Sequence, residues 1–228
     1  MKLTTKFATI LLAAAGVAFF QPQQGQLNAQ GADKKADYLK SAQLSRQQYA
    51  ACMTNSSTSS APPNCQSFLN GAAFYEAMAG AVTDSGDVPA ATQQKLTLQR
   101  KAADTKFSYS RSAQLSRQQY AACMTNNTTS SAPPNCQSFL NGAAFYEAMA
   151  GAVTDSGDVP ATTQQKLTLQ RKDADTKFTY LRSAQLARQQ YAACLSNPNA
   201  NPSTCQSYLN AAKKYEALAA GYPQPLPE

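Results

Sequence analysis

The sequence predicts an all-α protein, an elongated array of three helical repeats of 71 residues in which disulfide-stapled helical hairpins are joined by long helices. Three observations carry this. Residues 41–52 (Ser-Ala-Gln-Leu-Ser-Arg-Gln-Gln-Tyr-Ala-Ala-Cys) return unchanged at 112–123, and again at 183–194 with Ala187 where the second copy has Ser116. The six cysteines fall into three local pairs, one per copy. Neither Gly nor Pro interrupts residues 90–124, where small and aromatic residues recur at three- and four-residue steps, the period of a helix rather than a strand. A fixed period governs the architecture, because each copied unit must bury its apolar face against a neighbour.

Residues 1–29 read as a secretory signal peptide and stand outside the fold. Lys2 and Lys6 form its positive start, residues 7–20 an apolar run of 14, and 21–28 a polar stretch that places Leu27 and Ala29 at the −3 and −1 cleavage positions. The apolar run is shorter than the ~20 residues that span a bilayer. No membrane span is expected once the leader is removed. Repeat 1 (30–103), repeat 2 (104–174), a shorter repeat 3 (175–222) that caps the array, and a Pro-rich tail (223–228) follow.

The formal charge of +7 falls to +5 without Lys2 and Lys6. A mildly basic surface suits anionic partners such as polysaccharide or lipid head groups. Lys and Arg nevertheless form no dense run, and export conflicts with nucleic-acid binding, so no nucleic-acid partner is expected.

Six cysteines and no histidine narrow the chemistry. Six thiols allow 15 connectivities, and one pair per repeat favours the local bridges Cys52–Cys65, Cys123–Cys136 and Cys194–Cys205. Exported chains meet an oxidising compartment in which such bridges persist. Two thiols per unit, with ten or twelve residues between them, do not resemble a zinc site. No metal and no cofactor are expected.

Each unit then reads as a long helix, a tip loop and a short helix. The turn at 155–160 (Asp-Ser-Gly-Asp-Val-Pro) ends in a proline suited to a first helical turn. The stretch 89–124, at 1.5 Å per residue, makes a helix of about 54 Å. Leu98, Ala102, Tyr109, Ala113, Ser116, Tyr120 and Cys123 form its apolar stripe. The loop at 125–135 carries a Pro-Pro pair and ends at Asn135, a candidate N-cap. The short helix, 136–153, turns Phe139, Leu140, Ala143, Tyr146 and Ala150 to one side.

Differences between the copies point to an array with capped ends. Phe74 and Phe145 become Lys214 in the third copy, and Ala73 and Ala144 become Lys213. Phe107 and Phe178 correspond to Ala36. Polar terminal positions are what a linear array needs for solubility. Phe74 and Phe145 are therefore expected to pack on the following segment, around Leu96/Leu98 and Leu167/Leu169. Two arrangements fit: a rod of three-helix units similar in plan to spectrin, or an α-solenoid of alternating long and short helices. The period is near twice that of tetratricopeptide repeats, whose Trp/Leu/Gly/Tyr pattern is absent.

No constellation announces catalysis: there is no His for a triad, no G-x-S-x-G and no phosphate-binding Gly loop. Glu76, Glu147 and Glu216 recur, as do Asp84/Asp155 and Asp87/Asp158, but these read as helix-face and turn residues. The candidate binding surface is the Arg-Gln-Gln-Tyr block: Arg46, Gln47 and Tyr49; Arg117, Gln118 and Tyr120; Arg188, Gln189 and Tyr191. The tip loops add two glycosylation-type tripeptides, at 55–57 and 127–129. The chain is thus expected to be a non-enzymatic, secreted or periplasmic protein serving as a multivalent interaction or structural component of the cell envelope or extracellular space. Its partner would be a protein or anionic polymer of the envelope or matrix, or itself, as a self-assembling matrix or filament subunit.

Overall fold

The computed structural model describes residues 24–55, 65–126 and 136–223, and all regular structure among them is helical. Six helices follow one another: α1 (Gln24–Asn55), α2 (Gln66–Ala81), α3 (Ala90–Asn126), α4 (Gln137–Gly151), α5 (Ala161–Leu195) and α6 (Pro202–Ala220). Of the leader segment, residues 24–29 open α1. Its apolar run, the tip loops at 56–64 and 127–135 with Asn135 and the glycosylation-type tripeptides, and the tail beyond Pro223 lie outside the described residues.

The three long helices have 32, 37 and 35 residues; α3 and α5 are free of Gly and Pro, while α1 runs through Gly25 and Gly31. Pro160 sits one position earlier than expected, at the N-cap of α5, where its carbonyl accepts from Gln164 N–H at 2.9 Å. The missing N–H of proline is harmless there, since the first amide donors of a helix have no partner within it. α6 is capped by Asn201, whose side chain accepts from Ser203 N–H at 2.9 Å, whereas α2 and α4 start directly after Cys65 and Cys136 without a side-chain cap.

Among the described helices, each packs only on its neighbours in the chain: α1 on α2, α2 on α3, and so on to α5 on α6. The long helices do not touch one another, so the three-helix unit of a spectrin-like rod is not formed. The long–short pairs α1/α2, α3/α4 and α5/α6 are antiparallel hairpins closed by Cys52–Cys65, Cys123–Cys136 and Cys194–Cys205, with Cα separations of 5.6, 5.6 and 5.5 Å. All six cysteines are paired as their spacing predicts.

The hairpin cores are built mainly from alanine, which lets helix axes approach closely. Ala42, Ala113 and Ala184 on the long helices are buried, as are Ala72, Ala143 and Ala212 on the short ones. The substitution that distinguishes copy 3 is a paired one. Ser116 Oγ lies 3.5 Å from where a Cβ on Gly142 would stand, and copy 3 has Ala187 and Ala211 at these two positions. One residue loses an oxygen as the other gains a methyl, conserving interface volume.

The turn between hairpins is the same in both copies. Thr83 N–H and Oγ1 both donate to the Asp87 carbonyl, and Gly86 N–H donates to Thr83; Thr154, Gly157 and Asp158 repeat the pattern. Gly86 and Gly157 have φ of +84° and +82°, which only glycine adopts without strain. The turn rests on the preceding long helix, where a Cβ on Gly157 would stand 2.6 Å from Lys101 Cγ.

Phe74 and Phe145 do meet the following helix, although each ring is half-buried rather than enclosed. Phe74 shares a groove with Leu96, Gln99, Arg100 and Ala103. Leu169 is 53% exposed, so the leucine pointing inward on α5 is Leu167. Two residues apart on a helix are about 200° apart around it, and only one of such a pair can face the neighbour.

Candidate functional site

The Arg-Gln-Gln-Tyr block lies on the distal half of each long helix, beside the tip. Successive residues of a helix are rotated by about 100°, so Gln47 and Tyr49 fall on opposite flanks of Arg46. The structure accordingly divides the predicted surface. Tyr49, Tyr120 and Tyr191 are half-buried, while Gln47, Gln118 and Gln189 are exposed. The arginines are committed within the hairpin. Arg46 donates to Glu76 through Nε and Nη2 at 3.0 and 2.6 Å. Arg117 spans both oxygens of Glu147, each at 3.0 Å. Arg188 Nε reaches Glu216 at 2.7 Å, and its donated hydrogen bond holds the Glu216 carboxyl below the usual carboxylate range.

Each arginine of the block is thus paired with one of the recurrent glutamates while its side chain stays about half-exposed. Both partners of the Arg117–Glu147 pair remain about half-exposed, at 49% and 43%, so solvent weakens the attraction. A double-mutant cycle with Arg117→Ala and Glu147→Ala is expected to give a coupling of about 0.2–1 kcal/mol in urea denaturation. A coupling near zero would show that the pair does not hold in solution.

What remains on the outer side of each hairpin is an uncharged ridge that the block pattern did not reveal. Gln43, Gln47, Ala50 and Thr54 follow one another at four, three and four residues, and all are exposed. The ridge recurs as Gln114, Gln118, Ala121 and Thr125, and as Gln185, Gln189, Ala192 and Ser196. Beside it stand Met53, Met124 and Leu195, 48%, 48% and 61% exposed. The signal was present in the sequence as an amide-and-small-residue comb at helical spacing. Consecutive letters interleave this face with the Arg and Tyr on its flank, which hides the comb in the linear block.

The charged residues gather instead where one hairpin joins the next. Arg100 lies over the Phe74 ring at 5.3 Å and the Tyr75 ring at 5.9 Å, and Asn70 donates to Asp104 at 2.8 Å. Arg171, Phe145, Tyr146, Asn141 and Asp175 repeat this cluster at 5.3, 5.8 and 2.8 Å. The turn carboxylates are held as well: Asp87 by Lys34 at 3.3 Å, and Asp158 by Lys101 at 2.8 Å. Burial raises the Tyr222 phenol above its ordinary range, beside Tyr180.

Among the described residues, no group of three or more His, Cys, Asp or Glu side chains is placed to hold a metal ion. No helix among them is long and apolar enough to cross a membrane. No family model, no curated protein and no solved structure matches this chain.

Proposed function

We propose that this chain is an exported, non-catalytic helical-repeat protein, an α-solenoid of alternating long and short helices that offers one uncharged ridge three times to a protein of the cell envelope or extracellular space. The observation that carries the reading is the recurrence of the exposed ridge through Gln47, Gln118 and Gln189 on hairpins with the same cystine and the same Arg–Glu pair. Catalysis needs a single asymmetric constellation, whereas identical faces raise avidity without new contacts. Three cystines fit an oxidising compartment. Because Arg46, Arg117 and Arg188 are neutralised by glutamate, a protein partner is favoured over an anionic polymer at this face.

The test is graded charge insertion. Gln47→Glu, Gln118→Glu and Gln189→Glu, singly and together, are to be compared for retention on the envelope fraction of the source cells. A single change should leave most of the retention, and all three together should weaken it by about 10²-fold or more. Equal loss from one change and from three would remove multivalency. Full retention of the triple variant would remove the ridge as the contact.

A further inference from the structure

The tip of the third hairpin differs from the other two, and its loop, residues 196–201, lies among the described residues. Cys194 and Cys205 are 11 residues apart, where the other cystines close loops of 13. Tyr208 stands where the other copies have Phe68 and Phe139. Between the end of α5 and the start of α6 lies a hollow of about 440 Å³, inside the range of small-molecule sites, about 300–1,000 Å³. Gln190, Asn197, Asn201, Thr204 and Tyr208 supply its polar lining, and alanine and the cystine make up the rest. No charged side chain lines it among the described residues.

The loop is pinned from within. Asn197 Oδ1 accepts from Asn199 N–H at 3.0 Å, and Asn201 Oδ1 accepts from Ser203 N–H and the Ser203 hydroxyl at 2.9 and 2.8 Å. Ala200 N–H donates to the Asn197 carbonyl at 3.0 Å, and Thr204 N–H to that of Asn201 at 3.0 Å. With both side-chain oxygens committed, the two amide NH2 groups are the free ends, and they can only donate. These two groups, the Gln190 amide, the Thr204 hydroxyl and the Tyr208 phenol have no hydrogen-bond partner among the described residues. Phenylalanine replaces the phenol in the other copies, so this donor is peculiar to hairpin 3. Tyr208 is half-buried and adds an aromatic wall.

We propose that this hollow binds a neutral saccharide of one or two hexose units. Donors predominate in the lining, and the ring and hydroxyl oxygens of a sugar accept from the Asn197 and Asn201 amides and the Tyr208 phenol. Sugar hydroxyls in turn donate to Gln190 Oε1 and Thr204 Oγ1. The Tyr208 ring offers an apolar wall to the C–H face of a sugar ring, the pairing of aromatic surface with a few placed polar groups that small-molecule sites use. The asparagine amides are held before the ligand arrives, so binding has little ordering to impose. An acidic sugar would bring a charge that nothing in the lining balances. Gln190 lies about 100° around α5 from Gln189, off the ridge. The site is therefore independent of the protein contact proposed there, and either can fail alone.

Titration of the purified, disulfide-bonded, isotope-labelled protein with cellobiose, maltose and diacetylchitobiose, followed by backbone-amide NMR shifts, tests this, with the polyanion polygalacturonate run alongside. Most of the lining is exposed, so a dissociation constant of about 1 mM is expected, and the titration runs to about 20 mM. At least one disaccharide should move the signals of residues 190–208 and leave those of α1 to α4 in place. Tyr208→Phe, which restores the residue of the other copies, and Gln190→Ala should each weaken binding by about five- to tenfold, the effect of one lost hydrogen bond. Circular dichroism and thiol titration establish that both variants are folded and bridged. No shift with any of the three sugars overturns the proposal, and so does binding that both variants leave unchanged. Shifts centred on another hairpin, or a response to polygalacturonate alone, overturn it equally.

Discussion

Replacing all six cysteines with alanine is expected to leave the chain largely unfolded at room temperature. Each bridge closes a loop of 13, 13 or 11 residues, and closing a loop of that size stabilises by about 3 kcal/mol on the chain-entropy argument. Three independent bridges then contribute about 9 kcal/mol, against total stabilities of about 5–15 kcal/mol for folded domains. The rest of the hairpin core has little to compensate with. Buried positions are mostly alanine, and Cys65 and Cys136 are themselves among the largest fully buried side chains. Removing Cys123 and Cys136 alone should cost about 3 kcal/mol and loosen chiefly the α3/α4 tip. Far-ultraviolet circular dichroism with urea titration reads both effects. An unchanged midpoint in the six-fold variant would mean that helix packing alone sustains the fold.

Met149→Ala is the most damaging single truncation expected outside the cystines. Met149 is 1% exposed and is the largest fully buried side chain among the described residues, and deleting a buried methionine to alanine costs about 2–5 kcal/mol. The same truncation at Leu218, 40% exposed, should cost less than about 1 kcal/mol, within the range of surface changes. Phe145→Ala falls between them, because its half-buried ring loses the Arg171 contact at 5.3 Å but opens no closed cavity. Thermal unfolding of the three variants gives the order directly. Equal losses at Met149 and Leu218 would mean that α6 is covered in the isolated chain as α4 is.

Much of the fold was legible before any coordinates. The long helices α3 and α5 follow from uninterrupted stretches of good helix formers, and the bridges from cysteine pairs that recur with the period. The differences between copies located the hairpin junctions, since Lys213 and Lys214 occupy the positions where Ala73 and Phe74 meet α3. Two matters were not legible. The choice between three-helix units and alternating contacts depends on which helices touch, and a stripe of alanine and serine fits either. The role of Arg46, Arg117 and Arg188 depends on a carboxylate 30, 30 or 28 residues away, a distance at which sequence spacing carries no angular information. The exposed ridge was recoverable in principle, by reading one helical face rather than consecutive letters.

The local placement of the bridges also bears on how so repetitive a chain avoids confusing its copies. A nascent chain with near-identical segments can pair the long helix of one copy with the short helix of another, the usual misassembly of repeat proteins. Cys52 joins Cys65 across 13 residues, while its wrong partner in the next copy, Cys136, lies 84 residues away. Each doubling of a loop adds about 0.6 kcal/mol to its closure. The correct loop is therefore favoured by about 1.6 kcal/mol, roughly fifteenfold, before any helix has docked. Oxidation during folding would register each hairpin against itself, and the order in which the copies emerge would cease to matter.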